Sequence, residues 1–227
     1  MKRILTLAAA AAAFACGSTS SNNAATSRNN AGAGSSTLKV QGDINASTTA
    51  GAPLTTFSVT VSDGAGNTVG GATVTVQNAS LTNGSITLAQ AVPPNGAYVN
   101  SVASFPTGDF RLDVVKGTDS VQAVVVGGPG MPTINAPVLN ATVTANTDLA
   151  VSWTTPVVAK QVIVSTRDMT FTGPDLGAYT IVAAQNPVRA GQRVRVDRFN
   201  EVSAAGGLVG SRLSVMYRVA IDPFTVQ

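Results

Sequence analysis

The chain has 227 residues, 44% of them apolar and only 11% charged; its formal net charge is +3 and it contains no histidine. Neutral imidazole is the commonest transition-metal ligand and the usual general base near neutral pH, so His-based triads and most zinc sites are excluded. Lys and Arg are too few and too scattered to displace the counterions of a nucleic acid, which excludes that partner.

The chain opens MKR, then ILTLAAAAAAF, then ACGST. Lys2 and Arg3 precede an apolar stretch, Ile4 to Phe14, of about eleven residues. That length suits a signal peptide and is too short to cross a hydrocarbon core of about 30 Å. Ala13 and Ala15 then lead into Cys16, the sole cysteine. Small residues followed directly by a cysteine, with Gly17 and Ser18 after it, resemble the bacterial lipobox. That resemblance implies that residues 1–15 are a signal peptide and that the Cys16 thiol carries a diacylglycerol, which makes the membrane a partner. Acylation also consumes a lone thiol that could otherwise pair only between molecules. Each buried methylene contributes about 0.8 kcal/mol, so several acyl chains hold where one does not. Gly17, with no Asp there, resembles lipoproteins sorted to the outer membrane. The alternative is an ordinary cleaved signal peptide that includes a cysteine.

Without residues 1–15 the net charge is +1, so the calculated pI of 9.4 reflects few charges rather than a basic field. The segment 16–37 is, after Cys16, made of Ser, Asn, Gly, Ala and Thr with one charge, Arg28, and no apolar period. Such a segment buries too little surface to offset its conformational entropy and is expected to be a disordered tether. A coil of about 20 residues spans roughly 25 Å.

From Leu38 the period becomes two. Phe57, Val59 and Val61 alternate with Ser58, Thr60 and Ser62, which predicts a half-buried strand. A Gly-rich turn follows, and Val74 and Val76 resume the alternation. Further strands are expected at 85–88, 97–104, 110–115 and 121–126. Asn83-Gly84, Asn95-Gly96, Thr107-Gly108 and Lys116-Gly117 supply the turn signals between them. The stretch SITLAQAV is also compatible with a short helical turn. Asp63, Gly64, Gly66 and Asn67 read as a hairpin turn rather than a calcium loop, since calcium takes six to eight oxygens and this loop offers one carboxylate and one amide.

The run GGPGMP at 127–132 breaks the pattern and marks a boundary. The expected organisation is a β-sandwich over 38–127, a Gly/Pro linker at 128–132 and a second sandwich over 133–227. In the second unit Leu149, Val151 and Trp153 share one strand face. Val162 and Val164 share a face in the next strand, with Ile163 opposite. Strands AYTIVA, QRVRVDRF and RLSVMYRVAI follow.

Trp153 ending an alternating strand, Pro156 after it and Tyr179-Thr-Ile181 later resemble a fibronectin type III or related immunoglobulin-like domain. The resemblance implies that Trp153 fills the core between two sheets. Val59 to Val76, V-x-V-x-D-G-x-G-x-x-V-x-G-A-x-V-x-V, likewise resembles bacterial immunoglobulin-like and prealbumin-like surface domains. The fold expected is all-β, two tandem immunoglobulin-like β-sandwich domains after a signal peptide and a tether.

In RAGQRVRVDRF, residues 189–199, alternation gives Val194 and Val196 the core face and puts Arg193, Arg195 and Asp197 on the other. These charges either solubilise an edge or contact an anion such as a lipopolysaccharide phosphate or an acidic partner. Phe57, Phe110, Trp153 and Tyr179 fall at inward positions. Phe171 is the aromatic left as a candidate exposed stacking residue, against a core or loop-packing role, so the candidate binding face is Arg193, Arg195 and Phe171. No G-x-S-x-G or S-x-x-K marks an activated serine. No catalytic residue, metal site or cofactor is expected. The function expected is a non-enzymatic, membrane-anchored lipoprotein with a protein partner or a structural role in the envelope. The alternative is a small-ligand or glycan-binding accessory protein that uses its inter-strand loops.

Overall fold

A computed structural model describes residues 29–49, 51–92, 96–154 and 157–227. Cys16, Arg28, Asn95 and Pro156 lie outside the described residues. The chain is all-β, with strands β1 (Ala33–Gly34), β2 (Leu38–Thr49), β3 (Ala52–Asp63), β4 (Thr73–Gln77), β5 (Ser85–Thr87), β6 (Ala89–Gln90), β7 (Ala97–Val102), β8 (Asp109–Lys116) and β9 (Asp119–Gly127) in its first half. The second half contributes β10 (Ile134–Ala136), β11 (Thr142–Val143), β12 (Leu149–Trp153), β13 (Gln161–Ser165), β14 (Thr170–Gly173), β15 (Ala178–Ile181), β16 (Arg189–Ser203) and β17 (Arg212–Val226). SITLAQAV forms β5 and β6 rather than a helical turn.

Three sheets build two sandwiches. A nine-stranded sheet runs β14-β13-β16-β17-β2-β3-β7-β6, with β11 paired to β17. A five-stranded sheet, β1-β9-β8-β4-β5, packs over the β2–β3 side of it, and a three-stranded sheet, β10-β12-β15, over the β13–β16 side. The first core joins Phe57, Val59 and Val61 of the large sheet to Phe110, Leu112 and Val114 of the five-stranded one. The second joins Trp153 and Val151 to Val162, Val164, Val194 and Val196. Trp153 is buried between the sheets, as the fibronectin-like pattern implies.

The hairpin β16–β17 belongs to both units. Its inward face reads apolar at one end, with Val194, Val196, Phe224 and Val226 in the second core. At the other end Leu213, Val215 and Tyr217 lie in the first core. Parallel pairing of β17 with β2, Leu213 opposite Gly42 and Val215 opposite Ile44, extends the sheet across the two units. The sequence placed all of 133–227 in a second domain; residues 204–217 instead complete the first core. The physical reason is strand length. A 15-residue strand at about 3.3 Å per residue outreaches one sandwich.

Between the two apolar stretches the inward positions of β16 are Arg198 and Asn200, both buried. They fasten the 127–132 segment. Arg198 Nη1 donates to Pro129 O (2.8 Å) and Gly130 O (3.1 Å), and Asn200 Nδ2 donates to Gly127 O (2.7 Å). Arg198 Nε and Nη2 donate to Asp175 Oδ2 at 2.8 and 2.6 Å, and Nη2 also donates to Val157 O. Asp175 in turn accepts from Trp153 Nε1 (2.9 Å) and Ala159 N (3.0 Å). Both members of the ion pair are fully buried. Gly127, Gly128, Pro129 and Pro132 are buried too, so the Gly/Pro run is a packed joint.

The tether expected over 16–37 is ordered where the structure describes it. Asn30 bridges to Val125, and Ala33 and Gly34 pair with Gln122 and Val121 at the edge of β9. On the other side Ser36 N donates to Gly206 O (3.0 Å) and Ala205 N to Ala31 O (2.9 Å). Composition argued for disorder, but β9 presents an edge whose unpaired backbone groups this segment satisfies. It needs almost no side chain to do so. A Cβ at Gly34 would collide with the Ser120 and Gly206 carbonyls, and a Cβ at Gly206 with the Ala33 backbone.

Two outcomes test this architecture. Arg198→Met with Asp175 retained should cost about 3–5 kcal/mol in urea unfolding, because a buried carboxylate is stranded. Adding Asp175→Leu should recover most of that loss; equal losses for both variants would assign the stability to the carbonyl hydrogen bonds instead. Gly34→Val should expel the N-terminal strand. Hydrogen exchange at the Ser35 and Val125 amides should then accelerate while the Val194 amide stays protected.

Candidate functional site

The outward face of the nine-stranded sheet gathers charged side chains from both units. On β16, Arg193, Arg195 and Asp197 point outward and Val194 and Val196 inward, as alternation requires. Asp197 is nevertheless only 1% exposed. Its cross-strand partner Arg218 donates from Nε (2.8 Å) and Nη2 (3.0 Å) to its two oxygens, which raises the pKa of Arg218 above its ordinary value. Arg195 Nε lies 3.1 Å from Asp197 Oδ2 on the other flank. Arg193 and Arg195 are both half-buried on the sheet rather than standing free in solvent, Arg195 against Asp197.

Phe171 does not join them. On β14 it is paired with Val164, which faces the second core, so it points to the opposite side of the sheet. It stacks on Tyr179 of β15 with ring centroids 3.9 Å apart. The stack links an edge strand of the large sheet to an edge strand of the three-stranded one, and both rings pack on the second core. Tyr179 is half-buried; Phe57, Phe110 and Trp153 are fully inside.

Toward the first unit the same outward face carries Arg212. Its Nη1 lies 2.8 Å from Asp43 Oδ1 and 3.2 Å from Glu201 Oε2, and Ser214 Oγ donates to Asp43 Oδ1 (2.7 Å). Between this cluster and Asp197, the side chains of Ile163, Phe199 and Met216 line a shallow depression of about 300 Å³. Apolar area ringed by charge is thus presented at the centre of the shared sheet.

Most carboxylates act as local struts. Asp63 Oδ1 accepts from Ala65 N (2.9 Å) and Asn67 N (2.8 Å), and Asn67 Nδ2 donates to Asp63 Oδ2 (3.0 Å). This is an Asx-type hairpin turn. The Asn67 bonds hold the Asp63 carboxyl below its ordinary pKa. Asp168 Oδ2 accepts from Arg189 Nε (2.9 Å) and Gln192 Nε2 (2.7 Å), and the Arg189 bond lowers its pKa most. Arg167 Nη2 donates to both Asp222 oxygens at 3.1 Å. Burial raises the pKa of Tyr217, whose hydroxyl donates to Pro106 O.

Sequence reasoning passed over Arg198, Asn200, Asp175 and Ser165. Parity held a signal for two of them, since Arg198 and Asn200 share the face of Val194 and Val196. Asp175, in a loop far along the chain from its partners, carries no such signal.

No family model and no curated protein matches the chain. Among solved structures it is similar to the CbhA fibronectin(III)-like modules of Clostridium thermocellum, with 14% identity over 84% of this chain and 94% of that one and a TM-score of 0.27. The adhesin InvE of Yersinia pseudotuberculosis shares 14% identity over 82% of this chain and 60% of its own, with a TM-score of 0.26. DIP-gamma IG1+IG2 shares 12% identity over 84% and 98%, also with a TM-score of 0.26. Overlaps at this level assign neither family nor activity.

Asp168 gives a pH test. A carboxylate held below its unfolded pKa of 3.8 stabilises the fold above that pH, and the contribution is lost as pH falls through the folded value. Asp168→Asn should lower the melting midpoint at neutral pH, and the gap to wild type should narrow steadily on acidification below pH 3.8. A gap unchanged at about pH 2 would assign the effect to packing rather than charge.

Proposed function

We propose that the chain is a membrane-anchored extracytoplasmic lipoprotein, attached through acylated Cys16 and sorted to the outer membrane. In this reading it is non-enzymatic and acts as a protein-binding or envelope-structural module. The observation that carries the module reading is the shared sheet. One continuous outward face spans both units, with Phe199 and Met216 at its centre and Asp43, Glu201 and Arg212 at its rim. Apolar centres with polar rims are the anatomy of protein–protein interfaces. The use of Asp63, Asp168, Asp175 and Asp197 as struts supports a non-enzymatic role, because a general acid or base must be free to exchange protons with a substrate.

Two measurements test this reading. Cys16→Ser should shift the protein from the detergent phase to the aqueous phase and abolish incorporation of labelled fatty acid. Equal partitioning of both forms would overturn the anchor. A photo-crosslinking residue at position 199 should give discrete protein adducts in intact envelopes, and one at the exposed position of Val92 should not. Identical patterns at the two positions would remove the sheet face from consideration.

A further inference from the structure

Among the described residues three buried side-chain N or O atoms have no hydrogen-bond partner: Ser165 Oγ, Arg193 Nε and Arg195 Nε. They are not scattered. Ser165 on β13 is the cross-strand neighbour of Arg195 on β16, and Arg193 lies two positions further along the same strand. By alternation all three side chains project from the outward face, with Val162, Val164, Val194 and Val196 on the other. Opposed residues on paired strands have Cβ atoms about 5 Å apart, and residues two apart on one strand about 7 Å. The three groups therefore occupy one patch.

All three can donate. A guanidinium Nε–H has no acceptor capacity, and a serine hydroxyl can donate while it accepts. What completes such a patch is a group made only of acceptors. Its charge points the same way. Around it stand Arg167, Arg189, Arg193, Arg195 and Arg218 against Asp168, Asp197 and Asp222. Asp222 is taken by Arg167, Asp168 by Arg189, and Asp197 by the two-pronged contact from Arg218. Arg195 Nε is ion-paired with Asp197 Oδ2 at 3.1 Å but is not aligned to donate a hydrogen bond to it. Arg193 forms no ion pair among the described residues. Two cationic charges are thus surplus, side by side. Ser165 is 3% exposed, and the hydroxyl lies between β14 and the Arg195 strand.

We infer that Ser165, Arg193 and Arg195 form a binding site for a tetrahedral oxyanion of the phosphate or sulfate class. Arginine forks suit the several oxygens of such an ion. Rotation of the two arginine side chains about their terminal torsions turns both Nε edges toward one anion, with the Ser165 hydroxyl donating from the sheet floor. The site is separate from the Phe199–Met216 depression, and it does not depend on how the chain is anchored.

The test is titration of the full chain in detergent with inorganic phosphate, followed by calorimetry and melting midpoint, with chloride at matched ionic strength as reference. Phosphate should bind saturably and raise the midpoint beyond the chloride value. Arg193→Gln with Arg195→Gln should weaken binding at least tenfold, and Arg→Lys at both positions should restore part of it. Ser165→Ala should weaken binding several-fold without lowering the anion-free midpoint, which separates a ligand contact from a structural hydroxyl. Glycerol 3-phosphate then distinguishes the source. Tighter binding than inorganic phosphate points to a headgroup or sugar phosphate, and equal or weaker binding to the free ion. Phosphate effects equal to those of chloride, or binding unchanged in the double Gln variant, would overturn the site.

Discussion

The buried ion pair between Arg198 and Asp175 is the constraint on which the rest of this structure depends. Taking both charges out of water costs several kcal/mol per ion after relaxation, and only a fully hydrogen-bonded geometry offsets it. Here Arg198 directs its donors to Asp175 and to the carbonyls of Pro129, Gly130 and Val157. Those carbonyls belong to segments with no ladder of their own. A lysine could not replace it, since its single ammonium cannot span partners on three sides. Asp175 passes the constraint on by receiving Trp153 Nε1, which sets the ring that fills the second core.

Because that polar joint lies between two apolar stretches of the same hairpin, it separates two cores without separating two bodies. β16 and β17 pair over twelve registered positions, from one core to the other, with two register shifts near the second, on either side of Gln192. Hinge motion at the 128–132 segment would have to break this ladder as well as the Arg198 bonds. The N-terminal strand adds a second closure at the opposite edge, where backbone meets backbone at Gly34 and Gly206 with no room for a side chain.

The outward face inherits its character from the same sheet. Inward positions had to be apolar or exhaustively bonded, so the remaining charge of β16 and β17 concentrated on the outer face. There carboxylates and arginines pair across strands, and cross-strand neighbours at about 5 Å make such pairs cheap to form. Asp197 can satisfy Arg218 fully, and this leaves its other neighbour, Arg195, incompletely bonded beside Arg193. A surplus of donors follows from two carboxylate oxygens meeting two guanidinium groups.

The sequence by itself determined the strands, because a period of two survives in any single window. Phe57-Val59-Val61, Leu149-Val151-Trp153 and Val194-Val196 all face the cores their alternation demanded. It also determined the turns at Gly84, Gly108 and Gly117, where a positive φ favours glycine. Only the tertiary structure decided what lies beyond the reach of one window. Composition read 29–37 as tether, but an edge strand far along the chain supplied the partners that order it. The Gly/Pro run read as a linker, but an arginine about seventy residues later seals it. Phe171 was open to either an exposed or a packed role, and pairing with Val164 turned it inward onto Tyr179. Each of these outcomes depends on which distant backbone comes alongside, and that is a property of strand pairing across the whole chain rather than of local residue pattern.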